Sequence, residues 1–159
     1  MADTPQHLQA RLTGEAEKTL AFFRELPDES WQQVIYTEGS CWTVLQVLAH
    51  FVATEESIHR LVKNILAGGP GAPEDFNIDA YNERKVAALN EAKPDELMQQ
   101  FSIHRQNNAS LVASMAQDDL AKTGRHPFFG FASLADIIKL LYRHNQIHLR
   151  EIRKVLPQQ

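Results

Sequence analysis

Four stretches of this sequence repeat their apolar residues at three- and four-residue intervals, and prolines, glycines or polar runs close each one. That spacing lines side chains along one face of an α-helix and does not fit the two-residue alternation of a strand. The first stretch, residues 4–26, carries Leu8, Leu12, Ala16, Leu20, Ala21 and Phe23 and stops before Pro27. The second opens at Thr43, where Gln46 supplies a reciprocal capping partner and Trp42 is placed to staple against Val47. It runs through Phe51, Ile58, Leu61, Val62 and Ile65 to a breaker at Gly68, Gly69, Pro70 and Gly71. The third begins at Pro94, a residue suited to a first helical turn, and carries Leu97, Phe101, Asn108, Leu111, Val112 and Met115. The fourth follows a capping pattern of Ser133 and Asp136 and carries Leu134, Ile137, Ile138, Leu141, Ile152 and Val155. Between them lie a connector over residues 28–40, a short helical piece over residues 78–89, and residues 122–132, read as a loop that forms one wall of a site. The expectation is an all-α protein, an antiparallel four-helix bundle with long crossover connections.

At 159 residues and 43% hydrophobic content, the chain suits a single domain over residues 1–159. Its net charge is −4 and its 16 basic residues are scattered, a pattern that argues against nucleic acid as a partner. Apolar runs stay far below the roughly 18 uninterrupted residues of a membrane span. The polar start of the chain has no signal-like apolar run, and the single Cys41 cannot form an internal disulfide. These features point to a soluble cytoplasmic protein without membrane or nucleic-acid partners, pairing as a homodimer and acting on a small molecule.

The chemistry sits on the helix faces. In the fourth stretch the inward stripe passes through His144, Asn145 and His148, so two imidazoles four residues apart interrupt a buried face. A buried polar group without a partner costs about 1–3 kcal/mol, which asks for a hydrogen-bonding partner or a metal. His50 borders the inward stripe of the second stretch and is placed to join them. Two imidazoles spaced for chelation plus a third from another helix form a histidine triad that suits a divalent metal and leaves coordination positions open. Zinc and nickel are favoured, with iron and manganese compatible.

For the remaining histidines the reading is plainer. His7 lies in a terminal segment, His126 precedes a proline in a loop and His59 falls on a solvated flank, while His104 is either a core residue or a neighbour behind the ligands. A di-iron site needs two Glu-x-x-His elements, and only Glu56 with His59 supplies one. A zinc-protease helix needs Glu directly after the first histidine, and Asn145 stands there. Cys41 reads as a small buried hydrophobe, and Glu55 and Glu56 as surface charges.

Cys41-Trp42-Thr43 leading to His50, followed by the Leu134 to His148 segment, resembles the DinB-like superfamily over nearly the whole chain. That superfamily includes bacillithiol transferases and the metal-binding domain of mycothiol-dependent maleylpyruvate isomerases. The resemblance implies a four-helix bundle whose metal ligands fall on His50, His144 and His148. Many members carry an acidic residue where this chain has Asn145 beside the first C-terminal histidine. The segment Asp79 to Arg84 and the Gly130 turn are similar to the isomerase branch. The implied function is a metal-dependent thiol transferase or isomerase using a low-molecular-weight thiol, with Asn82, Arg84 and Arg143 as candidate carboxylate-binding groups. The alternative is a stress-response protein that binds a metal or small molecule without turnover.

Overall fold

The computed structural model describes residues 2–157, so the ends of the expected domain, 1 and 158–159, lie outside the described residues. Helices α1 (Pro5–Arg24), α2 (Val44–Leu66), α4 (Pro94–Ala113) and α5 (Leu134–Val155) form a bundle, and α3 (Ile78–Ala87) packs on the outside of α2. The bundle is all-α apart from one small hairpin, β1 (Thr123–His126) and β2 (Gly130–Ser133).

Helix starts follow the sequence signals. A helix leaves its first N–H groups without intrahelical partners, and side-chain acceptors or a proline remove that deficit. Thr43 Oγ1 accepts from Gln46 N–H at 3.3 Å while Gln46 Oε1 accepts from Thr43 N–H at 2.9 Å. Ser133 Oγ accepts from Asp136 N–H at 3.1 Å, and Thr4 Oγ1 accepts from His7 N–H at 3.0 Å just ahead of Pro5. Pro94 opens α4, and the Glu96 carboxylate reaches back to accept from Lys93 N–H at 3.0 Å.

Both α1 and α2 pack against α4 and α5, which places α1 diagonally across from α2 and α4 across from α5. Successive contacts give the directions. Phe51 meets Phe101, Glu55 meets Arg105 and His59 meets Asn108, so α2 and α4 run the same way. His50 meets His144 while Ile58, Val62 and Ile65 pack with Leu134, Ile137 and Ile138, so α2 and α5 run oppositely. Phe23 near the end of α1 meets Phe51 near the start of α2, which makes that diagonal pair antiparallel too. The order is therefore up, down, down, up. Parallel neighbours need a crossover, and α3 provides it: Tyr81 bonds Ser57 and Val86 joins the cluster at the start of α2, so the chain returns to the end from which α2 began.

Apolar side chains form two clusters. One gathers Phe23, Trp31, Trp42, Val47, Phe51, Leu97, Phe101 and Ile152; the other gathers Leu8, Leu12, Ile58, Val62, Ile65, Val112, Leu134 and Ile137. Each fully buried leucine or phenylalanine contributes about 1.5–3 kcal/mol by leaving water. Between the clusters a polar layer crosses the bundle, with Glu55, Arg105, Asn108 and Asn145 all buried.

Two connections hold more structure than their sequences suggest. Residues 28–40 include a 3-10 helix, Asp28–Gln32, and a bridge from Val34 to Thr43, and they bury Trp31 and Ile35 in the core. Residues 122–132, expected as a loop, form the hairpin. Its turn closes because Gly130 takes φ +73° and His126 Nδ1 accepts from the N–H groups of Phe128 and Phe129 at 3.1 and 3.4 Å. Its first strand is fastened from outside, Arg125 N–H bonding Pro70 O at 2.9 Å and Ala72 N–H bonding Arg125 O at 2.8 Å. No local pattern carries those distant partners. Among the described residues no helix is long and apolar enough to cross a membrane.

Candidate metal centre

His50, His144 and His148 come together at the polar layer, where α2 and α5 run antiparallel. The 3.6-residue period puts His144 and His148 on one face of α5, one turn apart. His50 Nε2 lies 2.9 Å from His144 Nε2, and His148 Nε2 lies 3.0 Å from the same atom. One ligating nitrogen from each ring falls within 4.8 Å of the others. The surroundings fix the rings. Trp42 lies against His50 with centroids 4.8 Å apart, and Phe51 flanks His144 and His148 at 5.8 Å each.

Hydrogen bonding alone does not satisfy this cluster. A ring nitrogen carries either one proton or one lone pair, yet His144 Nε2 faces two other Nε2 atoms at close range. A shared cation meets three lone pairs at once. Accepting a cation at Nε2 leaves the proton on Nδ1, and for His148 that atom meets the Tyr36 hydroxyl. The Nδ1 atoms of His50 and His144 are buried with no hydrogen-bond partner among the described residues.

The electrostatics keep the donors neutral. Burial, and then the charge on His148, push His50 down to about 3 from its ordinary 6.5. Burial and the charges of His50 and His148 likewise hold His144 well below its ordinary value. His148 is lowered by burial against the opposing pull of Glu151. Burial and the Glu151 carboxylate push the Tyr36 phenol well above its usual range, so it stays protonated. Neutral imidazole is the form that binds metal, and at neutral pH these rings need not release protons first.

The other expected site residues stand apart from the rings. Asn82 is half-buried and Arg84 exposed on α3, with the Arg84 guanidinium 5.3 Å from the Tyr81 ring centre. Arg143 is exposed on α5, and the half-buried His104 bears on Glu56. Among the described residues, none of these four makes a hydrogen bond, ion pair or ring contact with the three histidines. Asn145 is buried beside His144, its amide nitrogen without a partner. Glu55 is not the surface charge expected of it. It is 1% exposed and locked to Arg105, whose Nε donates to both carboxylate oxygens at 3.0 Å, so it is unavailable as a base.

Sequence reading missed Tyr36 and Arg105. Tyr36 had no local signal, since it reaches His148 from an irregular connector. Arg105 had one: it falls four residues after Phe101 on an apolar stripe, as Glu55 does after Phe51.

A four-helix bundle with three imidazoles converging between two of its helices defines a class of protein suited to hold a divalent ion. The chain belongs to the DinB superfamily, whose pattern matches residues 11–152. No curated protein matches the sequence. Solved structures of the same fold include an uncharacterised protein from Escherichia coli UTI89, 11% identical, with a TM-score of 0.75 over 98% of this chain and 94% of that one. The colibactin self-resistance protein ClbS, in complex with dsDNA, is 10% identical with a TM-score of 0.74 over 99% of each chain. An uncharacterised protein from Clostridium difficile 630 is 14% identical with a TM-score of 0.66 over 99% of each.

ClbS corrects one expectation. In the sequence, scattered basic residues argue against nucleic acid, yet a protein of this fold is crystallised with dsDNA. Scatter along a sequence does not report how charges gather on a folded surface, so it is no ground for that exclusion.

Proposed function

We propose that the protein binds a divalent transition metal through His50, His144 and His148, and that it is a metal-dependent enzyme of thiol transferase or isomerase type acting with a low-molecular-weight thiol. One observation carries the metal: His144 Nε2 faces the Nε2 atoms of both His50 and His148, and one ring nitrogen, with a single proton or a single lone pair, cannot close hydrogen bonds to both. Three protein ligands leave positions for a substrate, as in catalytic rather than structural sites. A bound divalent ion supplies deprotonation of a coordinated thiol or polarisation of a substrate oxygen. The chain's own residues supply neutral donors, a Tyr36 partner for His148, and aromatic walls from Trp42 and Phe51 that keep water off two sides.

Metal content tests the first half. Protein purified without an affinity tag is expected to carry close to one zinc, nickel, iron or manganese per chain, and His148→Ala is expected to lose it. Metal-free protein that stays metal-free on titration rejects the centre. Conjugation assays over a panel of thiols and electrophiles test the second half. Turnover abolished by chelation and by His50→Ala supports the enzyme, whereas stoichiometric metal without turnover leaves the non-catalytic binding protein.

A second reading concerns the partner. ClbS is crystallised with dsDNA, and this chain holds Phe128, Phe129 and Phe131 out to solvent on the hairpin beside Arg125. Apolar side chains can wedge between base steps while cations meet phosphates. Anisotropy of a labelled duplex at low salt is expected to rise with protein, and to rise less with Phe128→Ala/Phe129→Ala. A flat titration at micromolar protein removes this reading.

A further inference from the structure

The polar layer contains a second constellation, separate from the histidines, that touches all four bundle helices through one side chain. Arg105 projects from α4 and is 1% exposed. Its Nε and one terminal nitrogen grip the Glu55 carboxylate of α2 at 3.0 and 2.6 Å. The other terminal nitrogen donates to Leu12 O of α1 at 3.0 Å, and the first also reaches Leu141 O of α5 at 3.1 Å. Asn108, one turn along α4, donates to the Glu55 backbone oxygen at 3.0 Å and to its carboxylate at 2.9 Å. Guanidinium is planar with donors in fixed directions, so these bonds hold together at only one relative height of the helices.

That height is the one the histidines need. Leu141 lies one turn before His144 on α5, and Glu55 lies five residues after His50 on α2. Sliding α5 by a single residue moves it about 1.5 Å along its axis, half the His50 to His144 spacing, and breaks the bond to Leu141 O. Apolar contacts in the flanking clusters are non-directional and tolerate such a slide far better.

We propose that Arg105 is a positioning residue: held by Glu55 and Asn108, it sets the register of α5 against α2 and thereby the convergence of His50, His144 and His148. This rests on the metal reading for its consequence, though not for its geometry. The fork to the two main-chain oxygens, rather than the ion pair as a source of stability, performs this role. Replacing a buried ion pair by apolar residues of similar volume commonly leaves stability unchanged or raised, which separates register from stability.

The test uses Glu55→Leu/Arg105→Met in the full chain. The expected result is cooperative unfolding at or above the wild-type Tm, with affinity for added Co(II) at least tenfold weaker and an altered visible spectrum of the bound ion. In metal-free protein, nuclear Overhauser contacts between the His50 and His144 rings are expected to weaken. A folded variant with wild-type affinity, spectrum and ring contacts overturns the proposal. Should the wild type bind no Co(II), the metal reading fails, and the ring contacts of the metal-free proteins still decide the register. Should the double variant not fold, Arg105→Lys keeps the ion pair, gives up the fork to two carbonyls, and carries the same readouts.

Discussion

At His148 both ring nitrogens are engaged. Nε2 faces the cluster, and Nδ1 meets Tyr36, a residue 112 positions earlier in the chain. A hydrogen bond behind a ligand fixes tautomer and ring orientation, and its loss commonly costs tenfold to a hundredfold in metal affinity. Tyr36→Phe keeps the aromatic ring and removes the hydroxyl. Its affinity in a competition titration is expected to drop by about 10–100-fold with the fold intact, and an unchanged affinity would show that Tyr36 only fills space. The histidines were legible in the sequence because helical periodicity fixes which residues share a face. Tyr36 was not, because it reaches the site along an irregular path on which no period operates. Arg105 and Glu55 lie between these cases: each falls four residues after a phenylalanine on an inward stripe, yet a charged residue there reads as solvated until the pairing is known, and that pairing depends on two helices running parallel.

The helix starts were the most legible elements, since a cap is a local device of three or four residues. The hairpin was the least. Its strands are four residues each, and its stability comes from outside through the residues that follow α2. Gly71 is the tightest point of that attachment. It takes φ +87°, and a Cβ there would stand 2.4 Å from Arg125 N and 2.5 Å from Arg125 O. Both the backbone conformation and the space exclude a side chain, so Gly71→Ala is expected to cost about 1–3 kcal/mol. The cost is expected to be local. Hydrogen exchange should quicken at Arg125 and Ala72 while amides in the middle of α2 and α4 stay protected, and uniform loss across the bundle would contradict this attachment. The topology was partly legible too: the long connections announced crossovers, but the up, down, down, up order rests on contacts that only the folded chain displays.

For the whole molecule, the buried imidazoles make stability depend on pH in a defined window. Unfolded, His50 would take a proton near its ordinary 6.5, but in the folded protein it resists protonation down to about 3. Its contribution is therefore fully present above 6.5 and declines as pH falls, by about 1.4 kcal/mol per unit for this one group. The Tm of metal-free protein is expected to be level above pH 7 and to fall between pH 6.5 and 5, before the carboxylates lowered by their partners, Glu15 by Gln146 and Lys18 and Glu56 by Lys85 and Arg60, begin to protonate. A level Tm from 7 to 5 would mean the rings admit water and protons freely. The wide separation of the three histidines in the chain has a consequence for how such a molecule is made. His50 and His144 are 94 residues apart, and α5 is the fourth and last helix of the bundle to be synthesised. While α5 is still inside the ribosome, the emerging chain presents only one of the three clustered imidazoles, His50. An ion held by the proposed triad would therefore not template early folding as it does in a zinc finger, and its capture would mark a bundle that has already closed.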